Sequence, residues 1–114
     1  MDFGLSEEQE MIVQTVRSFV ENEIYPHEDL VERTGEVPAE IAMQIKKKTI
    51  DMGFYACNFD QTVGGAGLNH LEFALVEREL GRGSMALTHF FGRPQNILMA
   101  CEGDQRERYL FPAV

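Results

Sequence analysis

Positive charge is what this sequence has least of. Ten Lys and Arg face nineteen Asp and Glu, for a net charge of −9. That balance argues against nucleic-acid binding, which relies on basic side chains displacing counterions. It argues equally against docking on an anionic lipid surface. The one lysine run, Lys46-Lys47-Lys48, falls at a predicted helix end. Cysteine is scarce too. Cys57 and Cys101 lie far apart without a C-x-x-C motif, which fits two reduced thiols in a cytoplasmic protein. No apolar run approaches the roughly 18 residues that a membrane span needs. The opening, Met1 to Glu8, is acidic and polar, unlike a signal peptide. His27, His70 and His89 have no mutual ligand spacing, so no metal site is expected. No Ser/His/Asp or Cys/His arrangement suggests a nucleophile, and no catalytic residue is assigned.

What is present is the composition of one ordinary globular domain, residues 1–114, 44% hydrophobic and 25% charged. A domain this long buries roughly 65% of its unfolded surface, enough for one core. The fold class expected is all-α with about five helices. The first begins at Ser6, where Ser6 and Gln9 have capping-box spacing, and Glu7 and Glu8 complement the helix dipole. Ile12, Val16, Phe19 and Val20 form its apolar stripe, and Pro26 is expected to stop it. Residues 27–37 read as a polar connection with Thr34-Gly35 as a turn. A second helix starts at Pro38, buries Ile41, Ile45, Thr49 and Met52, and ends at Gly53. Residues 54–62 have no helical period and read as extended.

The loop Val63-Gly64-Gly65-Ala66-Gly67-Leu68 follows. Three glycines in four residues mark a backbone that needs unusual torsions or very close packing. No lysine follows them, so this is no P-loop. The third helix runs from about Asn69 to Leu80, with apolar residues on two sides, as in a central helix. Glu77 and Glu79, with Arg78 between them, read as surface ion pairs. A fourth helix is expected from Ser84 through Met99, interrupted at Pro94. A fifth starts at Asp104, where Glu107 completes a capping-box pattern. The apolar end, Tyr109 to Val114, carries no stop signal and reads as the start of something longer. Along residues 84–98, small and polar side chains mix with Phe90 and Phe91. Such a mixture either opens a groove for an elongated apolar ligand or permits close helix packing, and the residues leave both open.

Four segments, taken in order, resemble the N-terminal helical domain of the acyl-CoA dehydrogenase family. They are Leu5-Ser6-Glu7-Glu8-Gln9-Glu10; Met52-Gly53-Phe54 with Val63-Gly64-Gly65-Ala66-Gly67-Leu68; Glu77 through Ser84; and Gln105 through Leu110. Together they span nearly the whole chain. The resemblance implies a middle β domain and a C-terminal helical domain in full-length members. It also implies bound FAD, a homo-oligomer and an acyl-CoA substrate. A glutamate of the C-terminal domain removes the α-proton, and flavin takes the β-hydride. Most FAD contacts come from the other two domains, so FAD is not expected to bind this chain alone. By position, Ser84, Met85, Thr88, Phe91 and Gly92 become candidate substrate-binding residues on one wall of the acyl cavity. The bulk of Phe91 and the smallness of Gly92 are expected to set its depth. An acyl-CoA oxidase or flavin monooxygenase of the same fold, and a helical interaction module without flavin, are the alternatives.

Overall fold

A computed structural model describes residues 4–114 of the chain. Met1, Asp2 and Phe3, the first part of the polar opening, lie outside the described residues. Among the described residues all regular structure is helical, as expected, in five main stretches joined by turns. The molecule is a slab, 44 × 43 × 21 Å between Cα extremes. Its thin dimension is about two helix diameters.

Helix α1, Glu7–Phe19, starts as its sequence dictates. The Gln9 amide donates to Ser6 Oγ at 3.2 Å, and the Ser6 amide donates to Gln9 Oε1 at 3.0 Å. Pro26, however, does not end the helical path. A π-helical turn, Val20–Ile24, passes directly into α2, Tyr25–Thr34, with Pro26 in the first turn of α2. Proline suits that position because its fixed φ is pre-organised for the start of a helix. The wider turn lets Tyr25 donate to the Val20 carbonyl and keeps Val20 and Ile24 both fully buried. Residues 27–34, expected to connect, are therefore helix. Gly35, left-handed at φ +74°, closes α2, its N–H donating to the Val31 carbonyl at 2.8 Å.

Helix α3, Ala39–Asp51, buries Ile45 and Thr49. Helix α4, His70–Leu80, is capped by Asn69 and Glu72 in a reciprocal box. It packs along α1 and buries Leu75, Val76, Glu79 and Leu80. The main core joins these helices through Val16, Phe19, Val20, Ile24, Ile45, Val76, Leu80, Leu87 and Phe91.

Three other expectations are corrected. Residues 54–62 are not extended: they form successive turns and enter a short 3₁₀ turn, Gln61–Val63. No partner strand exists among the described residues, so turn hydrogen bonds satisfy the backbone instead. The fourth helix is a single turn, α5, Met85–Thr88, followed by a 3₁₀ turn, His89–Phe91. Gly92 then turns left-handed at φ +85° and breaks the path before Pro94 is reached. Ser84 makes no side-chain cap there. A separate 3₁₀ stretch covers Asn96–Ala100. Finally, the Asp104–Glu107 box is absent. Gln105 Oε1 accepts from the Glu102 amide at 3.1 Å instead, leading into a π turn, Arg106–Leu110, and α6, Phe111–Ala113.

The glycine loop folds inward onto this turn-rich segment. Gly65 donates to the Asp60 carbonyl at 3.0 Å, Gly67 to Phe59 at 2.8 Å and Leu68 to Cys57 at 3.1 Å. A Cβ on Gly65 would stand 2.2 Å from the Phe59 carbonyl oxygen. No real side chain fits at that distance, so the close backbone approach dictates glycine.

Candidate functional site

The segment from Ser84 to Gly92 is held from three directions. From α2, Glu28 Oε1 accepts the Ser84 amide at 2.9 Å. This carboxylate does what the Ser84 side chain does not, satisfying a free donor at the start of α5. From the core, Phe91 is fully buried, edge-on to Phe19 at a centroid distance of 5.3 Å and tilted against Phe54 at 6.1 Å. From residues 54–56, the Ala56 amide donates to the Gly92 carbonyl at 2.9 Å. The Tyr55 ring lies so close to Gly92 that a Cβ there would be 2.2 Å from Tyr55 Cδ2. Tyr55 is itself fixed, its hydroxyl donating to the Ala113 carbonyl at 2.9 Å.

The five candidates divide accordingly. Met85 is 81% exposed, the most exposed large apolar side chain among the described residues, and Ser84 is half-buried. Thr88 and Phe91 are buried. Gly92 borders an open cleft of about 480 Å³ with Tyr55, His89, Phe90 and Leu98, which the other four do not line. Thr88 and Phe91 thus pack into the core, and Gly92 packs against the Tyr55 ring beside the cleft. The smallness of Gly92 accommodates the Tyr55 ring, so a bulky residue there perturbs folding before it gauges any cavity. Tyr55 and Glu28 are the participants that sequence reasoning missed. A carboxylate two residues after a proline, distant in sequence from the turn whose amide it accepts, carries no local signal.

Titratable groups show one further departure from expectation. Glu79 is fully buried rather than at the surface. Arg17 binds it bidentately, with Nη2 to Oε1 at 2.9 Å and Nε to Oε2 at 3.1 Å. Arg82 Nε reaches Oε2 at 2.7 Å and Arg78 Nη2 reaches Oε1 at 3.2 Å. The hydrogen bond from Arg17 is the main reason its carboxyl is held below the usual range, against the opposing effect of burial. Glu77 pairs with Arg93 rather than with Arg78. Burial pushes the Cys57 thiol up to about 11, as for a small apolar core residue. Both cysteines are free.

Of a flavin's groups, the pyrophosphate is the one a glycine loop could hold. Anion cradles use outward-facing backbone amides, but the amides of Gly65, Gly67 and Leu68 are bound to the chain's own carbonyls. The loop does not fit a pyrophosphate. Among the described residues no group of three or more His, Cys, Asp or Glu could hold a metal ion. No helix among them is long and apolar enough to cross a membrane.

Comparison with known proteins agrees with this architecture. Residues 6–114 match the family description "Acyl-CoA dehydrogenase, N-terminal domain". A probable acyl-CoA dehydrogenase of Bacillus subtilis, YngJ, is 36% identical over 91 residues, covering 78% of this chain and 23% of that protein. The 3-(aryl)acrylate reductase of Clostridium sporogenes is 30% identical over 114 residues, covering 96% of this chain and 29% of that protein. The human mitochondrial short-chain specific acyl-CoA dehydrogenase is 35% identical over 79 residues, covering 69% of this chain and 18% of that protein. The chain thus spans less than a third of the length of these relatives. No solved structure matches it.

Proposed function

The chain belongs to the acyl-CoA dehydrogenase family, and from its match to that family's N-terminal domain we propose that it forms one wall of the acyl cavity in an enzyme oxidising the Cα–Cβ bond of an acyl-CoA thioester. FAD supplies the oxidising power in this family. The share of the present chain is binding, orientation and exclusion of water, while proton removal and the flavin contacts belong to other parts of the enzyme.

The observation that carries this reading is the exposed Met85 side chain on a segment otherwise fixed by Glu28, Phe91 and Tyr55. An unpartnered thioether on a rigid backbone suits contact with an alkyl chain, because methionine adapts its shape at little cost. Ser84 and Met85 touch the acyl group. Thr88, Phe91 and Gly92 set the position of the wall from behind. Relatives named as dehydrogenases and as reductases both resemble the chain, so the same cavity serves the bond in either direction. The parent enzyme is a cytoplasmic homo-oligomer in this reading. Ile97, Met99, Tyr109 and Phe111 are exposed apolar side chains on the last two helical stretches, and they form the face that other protein surface covers.

The test is the chain-length profile of the whole enzyme carrying Met85→Trp. A large indole on the wall lowers kcat/KM for long acyl-CoA substrates about tenfold relative to short ones, in line with the 1–3 kcal/mol that a small misfit in an apolar pocket imposes. An unaltered profile removes Met85 from the cavity.

A further inference from the structure

The arginines around Glu79 exceed what that carboxylate requires. Glu79 carries one negative charge and has about four acceptor positions. Arg17 alone neutralises the charge and bonds both oxygens. Arg78 and Arg82 then fill the remaining positions, one on each oxygen. Three cationic heads thus converge on one anion, so positive charge is locally in excess in a chain whose net charge is −9. Glu21 also acts on Arg17. Glu77, next in sequence to Arg78, is engaged by Arg93 instead. Among the described residues Arg78 and Arg82 have no ion-pair partner besides Glu79.

The cluster is open on its outer side. The side chains of Arg17, Arg78 and Arg82 are 32%, 55% and 49% exposed, whereas Glu79 behind them is fully buried. Each guanidinium has five N–H donors in a planar fork. Glu79 engages one nitrogen of Arg78, one of Arg82 and two of Arg17, which leaves at least one nitrogen on each without a partner among the described residues. Arg17 sits on α1, Arg78 on α4 and Arg82 in the turn that ends α4, so two packed helices fix the spacing. A buried carboxylate that orients arginines from beneath lowers the ordering cost a ligand would otherwise meet.

We infer that Arg17, Arg78 and Arg82 form a binding site for a phosphate group, with Glu79 as its buried positioning residue. A phosphate monoester carries about two negative charges at neutral pH, opposite in sign to the local excess. Its tetrahedral oxygens accept the forked donors that guanidinium presents. The site is separate from the Ser84–Gly92 wall and does not depend on the acyl-CoA reading.

The experiment is a phosphate titration of the protein at constant ionic strength, with chloride as the balancing anion, followed by the NMR signals of the arginine Nε–H groups and by Tm. In the wild type, phosphate moves the Arg17 and Arg82 Nε–H signals saturably and raises Tm. In the Arg78→Gln/Arg82→Gln double variant, which keeps the Arg17–Glu79 pair and so its fold, affinity falls at least tenfold. Two results overturn the inference: a chloride titration that reproduces the shifts, or a folded double variant that binds phosphate as the wild type does. Glu79→Gln gives an independent reading. It keeps all three arginines yet loosens their orientation, so phosphate affinity drops although local positive charge rises. Tighter binding by that variant shows that charge alone, without the built geometry, governs the site.

Discussion

Replacing Gly92 by alanine tests the packing of the candidate wall with one methyl group. Two costs add. Gly92 has φ +85°, and an L-residue in the left-handed region costs roughly 1–2 kcal/mol. The new Cβ would stand 2.2 Å from Tyr55 Cδ2 and 2.3 Å from Cε2, more than 1 Å inside normal carbon contact of about 3.5 Å. The ring cannot swing away freely, because its hydroxyl is bound to the Ala113 carbonyl and Lys46 Nζ lies 5.3 Å from its centroid. Overpacking of this kind costs about 1–3 kcal/mol. The expected total is therefore about 2–5 kcal/mol, a large share of the 5–15 kcal/mol typical of a domain. Urea unfolding followed by circular dichroism measures it. Tyr55→Ala and the double variant complete the cycle. With the ring gone the steric part vanishes, leaving a coupling of about 1–3 kcal/mol in favour of the double variant. A Gly92→Ala protein within 0.5 kcal/mol of wild type would refute the argument. So would two substitutions that simply add.

Other positions give independent checks. Gly65→Ala drives a Cβ into the Phe59 carbonyl and unfolds or destabilises the chain by at least about 2 kcal/mol. Normal Tm for that variant would show that the loop has slack. Glu79→Gln removes the charge on which three arginines converge and costs about 3–5 kcal/mol at pH 7, the range for breaking a buried pair. The sign of its pH dependence follows from the lowered folded-state pKa. The carboxylate contributes fully above its unfolded value of about 4.3, and that contribution is lost as pH falls through the folded value. The stability gap between wild type and Glu79→Gln therefore closes in acid, and a gap independent of pH would remove the ionic explanation. Cys57, buried and with its thiol at about 11, should not react with a disulfide reagent at pH 8 in the native protein, while the half-buried Cys101 reacts. Two equally fast thiols would contradict the packing of residues 54–57.

Where the sequence spoke clearly, the signal was local. The Ser6–Gln9 end, the stripe through Val16 and Phe19, and the left-handed Gly53 each follow from residues within four positions of one another. What stayed hidden depended on distant partners. Pro26 looked like a stop because a plain α-helix cannot hold it; the π turn that accommodates it has no composition of its own. Residues 54–62 looked extended because their turns rest on bonds to the glycine loop and to Gly92, and because Ala56 takes φ +54° without being glycine. Glu79 looked exposed because its bidentate partner, Arg17, lies 62 residues away. The candidate wall shared this fate. Its members were identified by position within a resemblance, but only tertiary contacts with Glu28, Phe19 and Tyr55 separate the exposed Met85 from the buried Phe91.

The central proposal is a division of labour in which this chain shapes the acyl cavity while flavin and catalytic base reside elsewhere in the enzyme. Flavin binding measures it most directly. The account predicts that the whole enzyme purifies with FAD whose visible absorbance bleaches when acyl-CoA is added, while the 114-residue chain titrated with FAD shows no saturable binding in the micromolar range. Stoichiometric micromolar binding of FAD by the 114-residue chain would contradict it.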